Sequence, residues 1–340
     1  MEASSSTSSS SGEGLRSAGS ARRPPVAALV VFLAGLVLLD RAGGAAFARL
    51  LPLADPRAVP VGKVERALAR RDAALFVFGS SRAVHHVVPE VLEAELGVPA
   101  HNAGAGGQGI LFARGVQDLL LRAGTRARLF VLQVDPKEVY ELRHERALVL
   151  APYLERSPVV REILELPGWR ARVKLRSHLY RFNSAAVPLL LSAARRRAPT
   201  GDGFEPLEGR LDPAALPPQP VLSAHRGARP RPEAVAQFRA FVRAGSEAGI
   251  PVVLILGPRY RGGVPPIGAE RRALAVFRRL AAEEGARFLP LTEEEHPELG
   301  DPALYRDRSH LNREGARVFS RILARALASL LPPAPGGAAR

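Results

Sequence analysis

Between residues 71 and 331 the chain alternates short, almost wholly apolar runs with longer stretches whose apolar residues recur every three to four positions. Short apolar runs bounded by charge or glycine predict buried strands; the helical period predicts amphipathic helices. Ala73–Phe78 is the first predicted strand, with Arg71 and Asp72 before it and Gly79 after it. Pro89–Leu96 reads as a short helix stopped by Gly97, and Val98–Asn102 as a second strand. A helix over about 110–123 follows, with Leu111, Val116, Leu119 and Leu120 on its apolar side. Arg128–Val134 is a third strand, stopped by Asp135-Pro136. Later come a helix over Pro232–Ala248, a strand over Val252–Leu256, a helix over Glu270–Glu284 and a strand over Ala286–Leu291. A closing helix over Asn312–Leu331 places Val318, Phe319, Ile322, Leu323 and Leu327 on one face.

Apolar strands alternating with helices imply a parallel sheet covered on both sides. Five such strands with right-handed crossovers predict a three-layer α/β/α, flavodoxin-like domain over 71–332. In that architecture a ligand sits outside the carboxyl ends of the strands. The unusual loops all follow strands there: Gly79-Ser80-Ser81, Asn102–Gly109, Asp135-Pro136 and Gly257-Pro258-Arg259. Residues 140–230 break the alternation. They read as an insertion over the strand ends, with helices at 153–166 and 184–197 and an irregular portion over 200–230.

The N-terminus has a different pattern. Residues 3–11 are a Ser/Thr tract unable to form a core, so 1–23 is expected to be disordered. Val26 to Leu39 then run without a charge; with Pro24 and Pro25 this makes 16 uncharged residues, about 24 Å of helix. That is slightly short for a bilayer. A cleaved signal peptide is one reading, with Ala46-Phe47-Ala48 as its A-x-A site. Asp40 and Arg41 separate the apolar run from that site, which favours an uncleaved signal anchor over 24–41. Arg16, Arg22 and Arg23 precede the span, so the rest of the chain is expected outside the cytoplasm of a single-pass inner-membrane protein. Ala, Gly and Pro then suggest a stalk over 42–70, and 333–340 a flexible tail.

The net charge is +15, which raises nucleic-acid binding. The basic residues are nearly all Arg, with Lys only at Lys63, Lys137 and Lys174, and they are spread evenly. No zinc-finger spacing or RNA-binding aromatic motif accompanies them. The charge therefore points to anionic polymers or lipid surfaces, not nucleic acid. There are no cysteines, which excludes disulfides and thiol chemistry.

Two short segments carry candidate chemistry. Ser81 lies at a strand-to-helix turn, where a hydroxyl can stand at the sheet edge; taken alone it is as readily a helix cap. Asp307 and His310 lie three residues apart before the last helix, close enough for the carboxylate to orient the imidazole. The histidine could then take the serine proton. Both segments are expected at the same strand ends. His85 and His86 point in different directions on a helix, so no metal is expected. Gly104-x-Gly106-Gly107-x-Gly109 is not a dinucleotide fingerprint and follows the second strand, so no cofactor is expected either.

Gly79-Ser80-Ser81 followed by an Arg and a helix, Asn102-Ala103-Gly104 after the second strand, and Asp307-Arg308-Ser309-His310 before the last helix resemble the SGNH (GDSL-like) hydrolase superfamily. The match covers about 75–135 and 250–330 and is nearest in look to the membrane-anchored bacterial branch. That branch includes proteins similar to the alginate O-acetyltransferase and D-alanyl-lipoteichoic acid types. The resemblance implies Ser81 as nucleophile, His310 as base and Asp307 as its orienting acid. Ser80 stands where many members have Asp, Gly104 falls near a glycine whose amide serves the oxyanion hole, and Asn102 starts that loop. Many members carry Gly-x-Asn-Asp after the third strand; here that place reads Gln133-Val134-Asp135-Pro136. An ionised Asp135 would repel an oxyanion, so a third donor is missing or comes from Asn102, Gln108 or Arg259. Arg82 and Arg259 are either solvated charges or holders of anionic sugar groups. The implied activity is an extracytoplasmic esterase or O-acyltransferase acting on an acylated polysaccharide or envelope polymer, beside a multi-span membrane acyltransferase. The alternative is a catalytically degenerate scaffold that binds such a polymer or partner.

Overall fold

A computed structural model of the chain describes residues 25–195, 201–216, 225 and 227–333. The tail expected over 1–23, nearly all of that over 333–340, and part of the 140–230 insertion lie outside the described residues. Five strands form one parallel sheet: β1 (Leu75–Gly79), β2 (Ala100–Asn102), β3 (Leu129–Gln133), β4 (Val252–Leu256) and β5 (Arg287–Pro290). Their spatial order is β2-β1-β3-β4-β5, the doubly wound order that the alternation predicts. Eleven helices are described: α1 (Pro25–Leu50), α2 (Pro60–Ala69), α3 (Ser81–His86), α4 (Pro89–Leu96), α5 (Ile110–Arg122), α6 (Pro158–Glu165), α7 (Trp169–Leu175), α8 (Ala186–Arg195), α9 (Pro232–Glu247), α10 (Gly268–Glu283) and α11 (Arg313–Leu327).

The strands are buried on both faces, and successive side chains go to opposite cores. Phe76, Phe78, Phe130, Leu132, Leu254 and Leu256 join the core that holds α2, α5, α9 and α10. Leu75, Val77, Leu129, Val131, Val253 and Ile255 join the one that holds α11. There Phe319, Leu323 and Leu327 are completely buried. At about 1.5–3 kcal/mol for each large apolar side chain, that face pins α11, and the turn before it, to the sheet.

The stalk expected over 42–70 is not one. Helix α1 runs unbroken to Leu50, and Leu51, Ala54, Val59, Val61, Val64 and Ala67 are buried in the larger core. Small residues read as linker composition are small because of close packing. A Cβ on Gly44 would come within 2.4 Å of the His178 Cβ, and one on Gly62 within 2.6 Å of the Asp55 main chain. The packed domain therefore begins near Leu51.

The insertion also differs from expectation. A 3-10 stretch over His144–Tyr153 packs on α2 and α5, α6 on α5, α7 on α6 and α8 on α1, so most of the insertion lies to one side of the sheet. Helix α7 has no counterpart in the sequence reading, since Pro167-Gly168 hides a two-turn helix. Two parts return to the strand ends: residues 141–147 and the irregular segment 201–213, described with the site.

Candidate active site

Ser81 is the first residue of α3, directly after β1. Gly79, at φ +145°, makes this turn possible; a Cβ there would meet the Gln133 carbonyl oxygen at 2.8 Å and the Ala83 Cβ at 3.0 Å. The Ser81 Oγ lies 2.9 Å from His310 Nε2. His310 Nδ1 lies 3.0 Å from both Asp307 carboxylate oxygens. The structure thus brings together the three residues singled out from 229 positions apart in the chain.

Local chemistry fixes the second segment. Asp307 Oδ1 accepts hydrogen bonds from the main-chain amides of Ser309 (2.7 Å) and His310 (3.0 Å), closing a tight turn. Burial alone would raise the Asp307 pKa, but His310 and these two amides hold it below the usual carboxylate value. Asn312 caps α11 by accepting from the Gly315 amide at 3.0 Å. His86 is completely buried and accepts from the Leu311 amide through Nε2 at 3.1 Å. Burial, Arg82 and His310 hold His86 well below its ordinary pKa, so it stays a neutral acceptor. It ties α3 to the residue beside His310.

By sequence, 201–213 reads as an irregular part of the insertion with no bonding role, because it has neither helical nor alternating periodicity. It runs across both halves of the site. The Asn102 amide donates to the Asp202 carbonyl, the Glu205 amide to the Val84 carbonyl, and the Arg313 amide to the Leu207 carbonyl. His85 Nδ1 lies 2.7 Å from the Glu205 carbonyl oxygen, and Asn312 donates to the Gly209 carbonyl at 3.0 Å. This strap joins the end of β2 and the serine helix to the start of α11.

Several residues expected to bind substrate do other work. Arg82 is 1% exposed and donates to the Val134 and Gly257 carbonyls, so it is neither a solvated charge nor a substrate contact. Asp135 is buried, 2.7 Å from Arg259 and 3.5 Å from Arg82. Burial would raise its pKa, but Arg259, Arg82 and Lys137 drive it far below the carboxylate range. Its charge is spent on these cations, and it is not among the residues that line the pocket beside Ser81. Arg259 is committed to the same pair. Asn102 is fully buried; its Nδ2 donates to the Ala83 and Val87 carbonyls and its Oδ1 accepts from the Gly104 amide at 3.0 Å. Neither Asn102 nor the Gly104 amide is therefore free to receive an oxyanion. Of the expected donors, Gln108 alone lines the pocket with Ser80 and Ser81, and its buried Oε1 has no partner among the described residues.

No family model matches this chain, and no curated protein matches it in sequence. Among solved structures it is similar to an acetyl xylan esterase, at 15% identity and a TM-score of 0.38, over 76% of this chain and all of that one. That likeness is too slight to carry either fold or activity across. The parallel five-stranded α/β architecture rests on the strand pairing itself.

The pocket beside Ser81 encloses about 60 Å³. Besides Ser80, Ser81 and Gln108 it is lined by Gly109, Ile110, Lys137, Glu138, Arg143 and Arg146, so the start of the insertion forms one wall. Glu138 accepts from the Ile110 amide at 3.0 Å, at the start of α5. Burial, then the nearby Asp135 carboxylate, push its pKa up to about 8. Between its ordinary value of 4.5 and about 8, the folded chain keeps a proton that the unfolded chain has released. Folded stability should therefore fall as pH rises through that window and level off above it. The expected result is a wild-type melting temperature that drops from pH 5 to pH 8. In Glu138→Gln, which keeps the Ile110 acceptor, that drop should be smaller. Equal slopes in the two proteins would refute the assignment.

Proposed function

We propose that this chain is an SGNH-type serine esterase or O-acyltransferase in which Ser81, His310 and Asp307 form the catalytic triad. The observation that carries the reading is the continuous line of contacts from Ser81 Oγ to His310 Nε2 and from His310 Nδ1 to Asp307. Ser81 Oγ attacks the ester carbonyl carbon while its proton passes to His310 Nε2. Asp307 accepts the Nδ1 proton's hydrogen bond and stabilises the imidazolium. The tetrahedral intermediate collapses as the alcohol leaves with the proton from His310. The acyl-Ser81 ester is then cleaved by water, giving hydrolysis, or by a sugar hydroxyl, giving transfer.

The oxyanion falls beside the first amides of α3. The Ser81 N–H, as first in its helix, has no intrahelical acceptor, and the Gln108 side chain is the further donor at that pocket. The pocket is small, about 60 Å³, which favours a short acyl group such as acetyl. Helix α1 is long and apolar enough to cross a membrane, and its window is wholly unburied. We read it as an uncleaved anchor that leaves the domain on the extracytoplasmic side. The C-terminal part of α1 packs on the insertion, as when Phe47 stacks on Phe182 at 5.5 Å. An acylated polysaccharide or envelope polymer as substrate, and a multi-span membrane acyltransferase as partner, rest on the motif resemblance.

One observation favours the competing reading of a scaffold that binds without turnover: Asn102 and the Gly104 amide are spent on each other. Fluorophosphonate labelling separates the two. Wild type should label covalently and hydrolyse p-nitrophenyl acetate faster than the butyrate ester, and Ser81→Ala should do neither. Gln108→Ala should still label while turnover falls by about 10²–10³. Equal labelling of wild type and Ser81→Ala would sink the catalytic reading.

A further inference from the structure

We infer that the outer faces of α7 and α8 lie in the lipid interface of the bilayer that α1 enters, so that the insertion is a second, peripheral membrane contact. This rests on the reading of α1 as a membrane span. Three independent observations carry it.

The first is the length of α1. Its charge-free run Val26–Leu39 is 14 residues, about 21 Å, against a hydrocarbon core of about 30 Å. Asp40 and Arg41 would stop the span there if they needed water. They do not. The Asp40 carboxylate accepts from Ser177 Oγ (2.5 Å), the His178 amide (2.8 Å) and the Leu179 amide (3.0 Å), and Arg41 bonds the His178 ring. Every one of these partners comes from the loop between α7 and α8. That loop therefore sits at the depth of Asp40, where the apolar run of α1 ends.

The second is the distribution of exposed apolar side chains. Trp169 and Val173 are exposed four residues apart on α7, Leu166 is exposed at the end of α6 just before it, and Val187, Leu190 and Leu191 are exposed at helical spacing on α8. Among the described residues, every other exposed large apolar side chain lies in α1 or at Leu53, just after it. The opposite side of α8 is already used: Leu189 and Ser192 are buried, and Ser192 Oγ accepts from the Asp55 amide at 3.2 Å.

The third is charge. No Asp or Glu occurs between Glu165 and Asp202, while Arg170, Arg172, Lys174, Arg176 and Arg195 are all exposed. Apolar stripes with a tryptophan, flanked only by cations, suit acyl chains beneath anionic headgroups.

Trp169 is the chain's only tryptophan, so its emission reports this face alone. The full chain is reconstituted in phosphatidylcholine–phosphatidylglycerol vesicles, with or without bromine on the upper acyl chain. Flotation reports α1 and Trp169 quenching reports the interface. The expected result is that the protein floats, that brominated lipid removes most of the Trp169 emission, and that aqueous acrylamide quenches weakly. Leu190→Ser with Leu191→Ser should restore much of the emission while flotation stays unchanged. Floating protein whose Trp169 is quenched by acrylamide and not by bromine overturns the interface while the anchor stands. Emission insensitive to both quenchers means that protein covers this face, which also overturns it. Failure to float refutes the anchor, and the interface with it.

Discussion

Ser81→Ala and His310→Ala are each expected to lower kcat toward p-nitrophenyl acetate by about 10⁶, with the double variant no worse than either single one. The physical ground is that nucleophile and base act as one unit. Without Ser81 Oγ there is no bond to form, and without His310 Nε2, 2.9 Å away, its proton has nowhere to go. Residual catalysis then comes from binding and main-chain dipoles alone. Asp307→Asn should cost less, about 10⁴. It keeps an oxygen for the Ser309 and His310 amides, so the turn survives, but it no longer favours the imidazolium. Asp307→Ala adds the loss of the turn itself. Additive losses for Ser81 and His310, measured under saturating ester, would show that they do not act together.

Asp135→Ala is expected to destabilise the fold by about 3–5 kcal/mol, read as a lower urea midpoint with an unchanged slope. It would leave Arg82, 1% exposed, and Arg259 facing each other in the interior without their shared carboxylate. The sign against pH follows from the direction of its shift. An acid whose folded pKa is depressed stabilises the fold above its unfolded value, so the contribution is present at neutral pH and lost as pH falls through and below about 4. Adding Arg82→Met to Asp135→Ala should recover part of the loss, since an apolar side chain of similar size removes one stranded cation. If the single variant unfolds at the wild-type midpoint, the carboxylate is not the keystone of this cluster.

These two expectations differ in how far the sequence alone could reach. The Ser81–His310–Asp307 arrangement was legible because each member lies next to a feature with local signature: a glycine turn after an apolar strand for Ser81, and an Asp-x-x-His turn before an amphipathic helix for His310. The Asp135 cluster was half legible. The missing Asn was visible, but Arg82 reads as a surface charge three residues past a glycine. Only the approach of β3 and the Gly257 turn shows that its guanidinium ends on two buried carbonyls. The role of the strap over 201–213 was not legible, because it bonds mostly through its own main-chain groups, which leave no pattern in side-chain type. The stalk was misread for a related reason. Gly44 and Gly62 look like flexible linker, while their smallness serves contacts with residues more than a hundred positions away or just across a turn.

The sequence by itself determined the doubly wound sheet, the order of its elements, the apolar N-terminal helix and the identity of a serine, a histidine and an aspartate at the strand ends. Those follow from period and punctuation, which are local and additive along the chain. Tertiary structure decided which polar groups remain free to do chemistry. Whether Asn102, Gly104, Arg82 or Arg259 can meet a substrate depends on hydrogen-bonding capacity, and a buried polar group spends that capacity on the nearest partner the fold supplies. Of the residues expected to serve an oxyanion, only Gln108 lines the pocket beside Ser81.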